Sequence, residues 1–519
     1  MPKIKMWSTL IVFLVLCSFK VECYNVLGIF PHFGKSHFDI FAPVMKGLAE
    51  KGHDVTVLSY FPQKSPMKNY KDYTLKLNNS ALSMGDMIAF DQLPGIRMQR
   101  YLEPYILGIF GKEACEFALF STPVQQILDS KKKFDVIIAE AFNTDCFLGL
   151  AHKLKAPIMQ ISSSTILTWF NPRFGQPMNP SYISSCFMGF SDKMTFLERL
   201  ENTIVVGLHT MYYNLYLLPK YNSAAKKRFG KDLPSLKKIG NNVSMIMINS
   251  HWSISRPKPL SPAFIEISGV HMPKLKKLPL NIEKWINESK DGVIYFSMGS
   301  MIKGHTFPEH KKQAFLRAFG RLKQRVLWKW ENDTMPGKPD NVMIQKWMPQ
   351  FDILCHPNVK GFVSHGGLLG TTEAVHCGVP VVVMPQFGDQ HTNARALEAG
   401  GGGIVLDFHN IEEDTVYRAL KTILDPEFNK KAKQLSERFR DRPMPPLETA
   451  IYWIEYVARH KGADHMRTAA VNMPFYQYLL LDVIAFLILA LAFTIFIVYH
   501  TIRITCGMCC KKTQKVKKS

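Results

Sequence analysis

Hydrophobic and polar positions alternate along this chain in two long, similar stretches. An apolar run at 25–30 reads as a strand, and a polar loop at 31–37 leads into a helical pattern over 38–51. Gly52 stops that helix, and 55–58 is apolar and β-branched again, which makes a βαβ unit. Strand patterns recur at 134–140 and 156–161 with a helical stretch, 146–154, between them, so this half reads as α/β with a parallel sheet. Residues 170–235 are rich in aromatics, methionine and helix formers, and are expected to form helices capping an apolar cavity.

A proline-rich passage at 257–279 reads as an interdomain linker, after which the alternation restarts. Strands are expected at 292–297, 326–330, 342–345, 361–363 and 379–384, and helices at 310–323, 370–377 and 392–400. A helix at 448–460 could return to the first half. Two doubly wound domains facing each other leave a cleft at the carboxyl ends of their strands, where ligands bind.

The chain ends differ from this pattern. Residues 1–23 have a basic start and a short apolar core, as a cleaved signal peptide does. Residues 479–499 are apolar except for Asp482 and Thr494, long enough to cross a bilayer. Six positive charges follow, Arg503, Lys511, Lys512, Lys515, Lys517 and Lys518, which would hold the tail in the cytosol and the bulk in the lumen. The lysines near the terminus resemble a dilysine retrieval signal of the endoplasmic reticulum. The expected division is therefore signal peptide 1–23, first domain 24–270, second domain 271–446, returning helix and juxtamembrane segment 447–474, transmembrane helix 475–502 and basic tail 503–519.

With 519 residues, 47% hydrophobic and 20% charged, the chain has the composition of a globular protein of several domains. The net charge of +22 favours anionic ligands, but the basic residues are dispersed and form no nucleic-acid motif. Of ten cysteines, Cys115, Cys146, Cys186, Cys355 and Cys377 lie in the expected lumenal part, scattered in a way that suggests no disulfide framework. Glycosylation sequons occur at Asn78, Asn242, Asn287 and Asn332.

Candidate chemistry concentrates in 362–390, FVSHGGLLGTTEAVHCGVPVVVMPQFGDQ. Two glycines after a strand let backbone approach a ligand closely, and the following helix aims free N–H groups at that corner, a setting for phosphate. Glu373, one turn on, could accept hydrogen bonds from sugar hydroxyls, and the Asp389–Gln390 pair could grip vicinal hydroxyls with both acceptors and donors.

This stretch resembles the signature of the UDP-glycosyltransferases through Phe362, Ser364, His365, Gly367, Glu373, Pro380, Pro385, Asp389 and Gln390 in register. The resemblance implies two Rossmann-like domains of GT-B type and a UDP-sugar as co-substrate, with no other cofactor; the sequence shows no metal cluster and no DxD in the relevant loops, so no metal is expected. It implies that Trp347 stacks on uracil, Gln350 contacts the uridine, Ser300 contacts the diphosphate and His365 holds a phosphate. Leu369 departs from the pattern, where the family often carries a polar residue.

On the acceptor side the resemblance assigns His37 as the base, with His32 a competitor nearby and His53 structural. A carboxylate is expected to orient His37, with Asp145 favoured and Glu140 its rival. The implied reaction is inverting transfer of a sugar to a hydroxyl of a small lipophilic acceptor, for detoxification or conjugation of endogenous metabolites. The loop 31–37 looks arthropod-like, which favours UDP-glucose as donor. Homo- or hetero-oligomers are compatible with this picture. The rival reading is a non-catalytic binder of lipophile or UDP-sugar with the same fold.

Overall fold

The computed structural model describes residues 22–76, 89–90 and 99–516. Most of the expected signal peptide and the sequon at Asn78 lie outside the described residues, as do the last three residues of the basic tail.

The first sheet has seven strands in the order β3-β2-β1-β4-β5-β6-β7, all parallel. They are β1 (Asn25–Phe30), β2 (Asp54–Ser59), β3 (Tyr70–Thr74), β4 (Val136–Glu140), β5 (Ile158–Ser162), β6 (Ile246–Ile248) and β7 (Phe264–Glu266). The second sheet has six, in the order β10-β9-β8-β11-β12-β13, again parallel. These are β8 (Val293–Ser297), β9 (Arg325–Lys329), β10 (Val342–Gln345), β11 (Val359–Ser364), β12 (Val381–Val383) and β13 (Gly403–Val405). Helices cover both faces of each sheet, so strands such as β4 and β8 are buried along their whole length and read as unbroken apolar runs.

Strand order reverses beside β1 in the first sheet and beside β8 in the second, at the β1/β4 and β8/β11 neighbours. Connections leave those pairs toward opposite faces, which opens a crevice at their carboxyl ends. The chain folds so that both crevices receive the segments singled out from sequence.

Three expectations need correction. The proline-rich 257–279 is not only a linker, because β7 lies inside it and completes the first sheet. Four of the five scattered cysteines pair, Cys115 with Cys146 and Cys355 with Cys377, since helix and loop positions remote in sequence meet in space. The helix Phe196–Tyr212 and the turn Tyr213–Leu217 after it do not simply cap a cavity: Phe196, Leu197, Ile204, Leu208 and Leu215 face outward.

The helix Pro446–Arg459 packs on the helix Lys35–Glu50, where Ile451 and Ile454 join a core cluster with Phe41 and Leu48. The terminal helix, Leu481–Val516, contains a candidate span, Leu481–Met508, with an 18-residue window of mean hydropathy 2.8, long enough to cross a membrane.

Candidate active site

The parallel register of β1 and β4 pairs Ile29 with Ala139, so the chain leaving β1 passes Glu140, the last residue of β4. The helix that follows begins at Lys35 and not at 38, which puts His37 in its first turn, its N–H on the Gly34 carbonyl at 3.1 Å. Glu140 is buried, and its Oε1 lies 2.7 Å from Nδ1 of His37. A carboxylate only accepts, so Nδ1–H donates and Nε2 keeps its lone pair. The other carboxylate oxygen accepts the backbone N–H of His32 at 3.3 Å.

His32 stacks on His37 with ring centroids 4.1 Å apart, and Phe142 meets His37 edge-on at 4.6 Å. Burial, reinforced by His37, pushes His32 well below the usual histidine range, and its Nδ1 accepts the Gly34 N–H at 3.0 Å. His32 is thus a neutral wall beside His37. His32, His37 and Glu140 bring ligand atoms within 4.8 Å of one another, but both Nδ1 atoms and the carboxylate already have partners in the chain, which suits proton handling better than a cation.

The favoured partner of His37, Asp145, does not meet it. A short 3-10 turn, Asp145–Phe147, carries this side chain into the interior, where it pairs with the guanidinium of Arg173 and accepts from the Tyr213 hydroxyl. Arg173 also donates to Oδ1 of Asp145 at 3.2 Å and to Gln160 at 2.9 Å, and lies over the Phe170 ring. A buried carboxylate takes the nearest buried cation. His53 bonds Glu455 and the backbone of Tyr24, away from this crevice.

In the second sheet, β8 and β11 both end in serine and turn alike. The Ser297 hydroxyl accepts Gly299 N–H, and the Ser364 hydroxyl accepts Gly366 N–H, each at 3.2 Å. The His365 ring lies between these turns. A Cβ on Gly299 would stand 2.4 Å from its Cε1, and one on Gly367 2.5 Å from its Nε2, so both positions need glycine. Burial, with Lys329 nearby, lowers His365 to about 4, which leaves its ring neutral. Its Nδ1 is buried with no partner among the described residues.

The next helix starts at Leu368, two residues before the expected 370, with Gly367 as its cap. The first ladder bond runs from Thr371 N–H to Gly367, leaving the preceding amides free for an anion. Leu369 packs against the first domain's core cluster, which accounts for an apolar residue there. Ser300 is exposed in the turn after β8. Lys329, which sequence reading passed over because a lysine ending a strand is unremarkable, donates to the Gly299 carbonyl at 2.9 Å and pairs with Glu331.

Trp347 is 70% exposed, its ring uncovered. Close by in sequence, Gln350 donates to Glu373 at 2.7 Å. Burial raises Glu373 to about 7, opposed by Gln350 and reinforced by Asp39 and Asp352. The other Glu373 oxygen, Oε1, lies 3.7 Å from Nε2 of the buried His271 ring.

Gln390 accepts the Gln386 and Phe387 N–H groups through Oε1, at 2.9 and 3.3 Å, which leaves its NH2 for a ligand. Asn393 donates to the Gly366 carbonyl at 3.1 Å, tying this turn to the His365 corner. Burial raises Asp389, opposed by its bond from Asn393 and then by His37.

A sequence profile of the family described as "UDP-glucoronosyl and UDP-glucosyl transferase" matches residues 33–516. The chain belongs to this family. This UDP-glycosyltransferase is 44% identical to UDP-glycosyltransferase UGT5 of Dactylopius coccus, over 97% of this chain and 99% of the relative. It is 32% identical to UDP-glucuronosyltransferase 2B15 of Rattus norvegicus, over 93% of each. The solved spinosyn forosaminyltransferase SpnP superposes with a TM-score of 0.56 at 16% identity, over 84% of this chain and all of that one, which supports the GT-B fold. A UDP-glucosyltransferase from Polygonum tinctorium gives 0.55 at 15% identity, over 85% of this chain and 99% of its own length.

Proposed function

We propose that this enzyme transfers glucose from UDP-glucose, with inversion, to a hydroxyl of a small lipophilic acceptor. The observation that carries this reading is the 2.7 Å bond between His37 Nδ1 and the buried Glu140 carboxylate. It orients the imidazole so that Nε2 takes the acceptor's proton, while Glu140 stabilises the imidazolium that forms. The acceptor oxygen then attacks the anomeric carbon, the bond from that carbon to the diphosphate breaks, and UDP leaves with the electron pair. Free amides at the Leu368–Cys377 helix, the His365 N–H and Lys329 are the groups that meet the leaving charge. Trp347 and Gln350 are the candidates for the base and ribose, Ser300 for the diphosphate, and Asp389 with Gln390 for the sugar hydroxyls.

A glucose donor is favoured by the arthropod relatives, among them UDP-glucosyltransferase 2 of Dactylopius coccus at 39% identity. The apolar stretch at Leu481–Met508 and the basic residues after it support an anchor in the endoplasmic reticulum membrane, with the catalytic domains lumenal. Conjugation of foreign or endogenous small molecules fits such a location.

The test is UDP release from microsomes expressing the chain, with UDP-glucose and a panel of small phenols, beside a His37→Ala variant. Acceptor-dependent release that disappears in the variant supports the reading. UDP-glucose binding without release by any acceptor favours the non-catalytic one.

A further inference from the structure

The helix Gln99–Phe117 belongs to the first domain and lies against the site. Phe110 packs edge-on against Phe33 at 5.6 Å, and the Leu107 carbonyl accepts from Asn143, just past Glu140. One turn earlier, Glu103 is only 8% exposed although it is a carboxylate. Its Oε1 accepts the N–H of Gly388 at 2.6 Å, a contact across 285 positions of sequence that joins the two domains. A Cβ on Gly388 would stand 3.9 Å from its Oε2. Gly388 immediately precedes Asp389.

The geometry points to Glu103 as a specificity residue: reaching over from the opposite domain, it holds the Phe387–Gly388–Asp389 turn and doubles the negative charge beside the donor sugar, so that the site takes a neutral hexose and disfavours a hexuronate. This rests on the reading that Asp389 and Gln390 grip the sugar.

The surrounding charges agree. Burial raises Glu103 to about 7, opposed by Gly388 N–H and reinforced by Asp389. Asp389 is itself raised by burial, opposed by Asn393 and then by His37. The buried Cys186 thiol is raised by burial and then by both carboxyls, which marks the three as neighbours. One cation borders this group and a second stands at the phosphate end of the site. Burial lowers Lys258, opposed by Glu266 and then by Cys186, and Lys329 pairs with Glu331 at the His365 end. A sugar carboxylate would thus meet two carboxyls, with Lys258 drawn first toward Glu266, in a setting where charges a few ångströms apart are poorly screened. A carboxyl at about 7 also titrates near neutrality, so the penalty on a uronate should ease as pH falls.

The experiment is equilibrium binding of UDP, UDP-glucose and UDP-glucuronate to the full chain in detergent, at pH 8 and pH 6, for the wild type, Glu103→Gln and Asp389→Asn. Gln keeps the acceptor oxygen for Gly388 and removes the charge. The wild type should bind UDP-glucose at least tenfold more tightly than UDP-glucuronate at pH 8 and less selectively at pH 6. Glu103→Gln should narrow that ratio about tenfold at pH 8, keep UDP affinity within twofold and abolish most of the pH effect. An unchanged ratio in Glu103→Gln, with UDP affinity intact, overturns the proposal. Should Glu103→Gln lose UDP binding, the wild-type comparison decides, and equal selectivity at both pH values overturns it. If Asp389→Asn binds both sugars as the wild type does, the underlying assignment of the sugar grip fails instead, and the proposal with it.

Discussion

Nδ1 of His37, in the first turn of one helix, stands 2.7 Å from Oε1 of Glu140, at the end of a strand 103 residues later. Glu140 is buried and holds a second bond from His32 N–H, so it cannot swing away. Glu140→Gln should keep the shape but let the amide stabilise the wrong imidazole tautomer. We expect kcat to fall about 10²–10⁴-fold with KM for UDP-glucose little changed. Asp145→Asn should not reproduce that pattern in its folded fraction. Steady-state kinetics of the two variants decide between the carboxylates.

Asp145 has a structural task. Its pairing with Arg173, Tyr213 and, through Arg173, Gln160 is closed to solvent. Arg173→Leu leaves a buried carboxylate without its cation and should cost about 3–5 kcal/mol. The measurement is thermal unfolding. UDP affinity of the protein that remains folded should stay within a few-fold of wild type.

Gly299 sits at φ +77 with the His365 ring against it. Gly299→Ala places a methyl 2.4 Å from Cε1 and strains the backbone as well. His365 must then move, and UDP binding should weaken at least tenfold, while Gly207→Ala, on an open helix face, should bind normally. Calorimetric titration with UDP checks both.

Trp347 has an uncovered ring. If it stacks on uracil, Trp347→Ala should lose about 1–3 kcal/mol of UDP affinity, a figure typical of a base on an aromatic platform. Quenching of tryptophan fluorescence by UDP in the wild type should shrink in the variant.

Glu373 titrates at about 7 when folded, against an ordinary 4.5. The folded state therefore binds this proton more tightly than the unfolded chain. Its contribution is fully present below pH 4.5 and is lost as pH rises through about 7, a change of roughly 3 kcal/mol. Glu373→Gln lacks that loss. The stability of the variant relative to wild type should climb from pH 4.5 to 7 and then level, as followed by denaturant unfolding at several pH values. A flat difference would refute the assignment.

Sequence determined a good deal of this protein, because much of its folding logic is local. Apolar runs and period-3.6 patterns marked most of the buried parallel strands and their helices, and a 29-residue register match picked out His365, Gly367, Glu373, Asp389 and Gln390. Those signals lie within one strand, turn or helix. Tertiary structure decided whatever depended on two distant segments meeting. It gave Glu140 to His37 and Asp145 to Arg173, paired Cys115 with Cys146 and Cys355 with Cys377, and turned a proline-rich passage into the seventh strand of a sheet. It also set Glu103 of one domain on Gly388 of the other. A carboxylate's partner is chosen by distance and burial, through a Coulomb energy that acts over a few ångströms in space. Separations along the chain carry no such distance until the chain has folded.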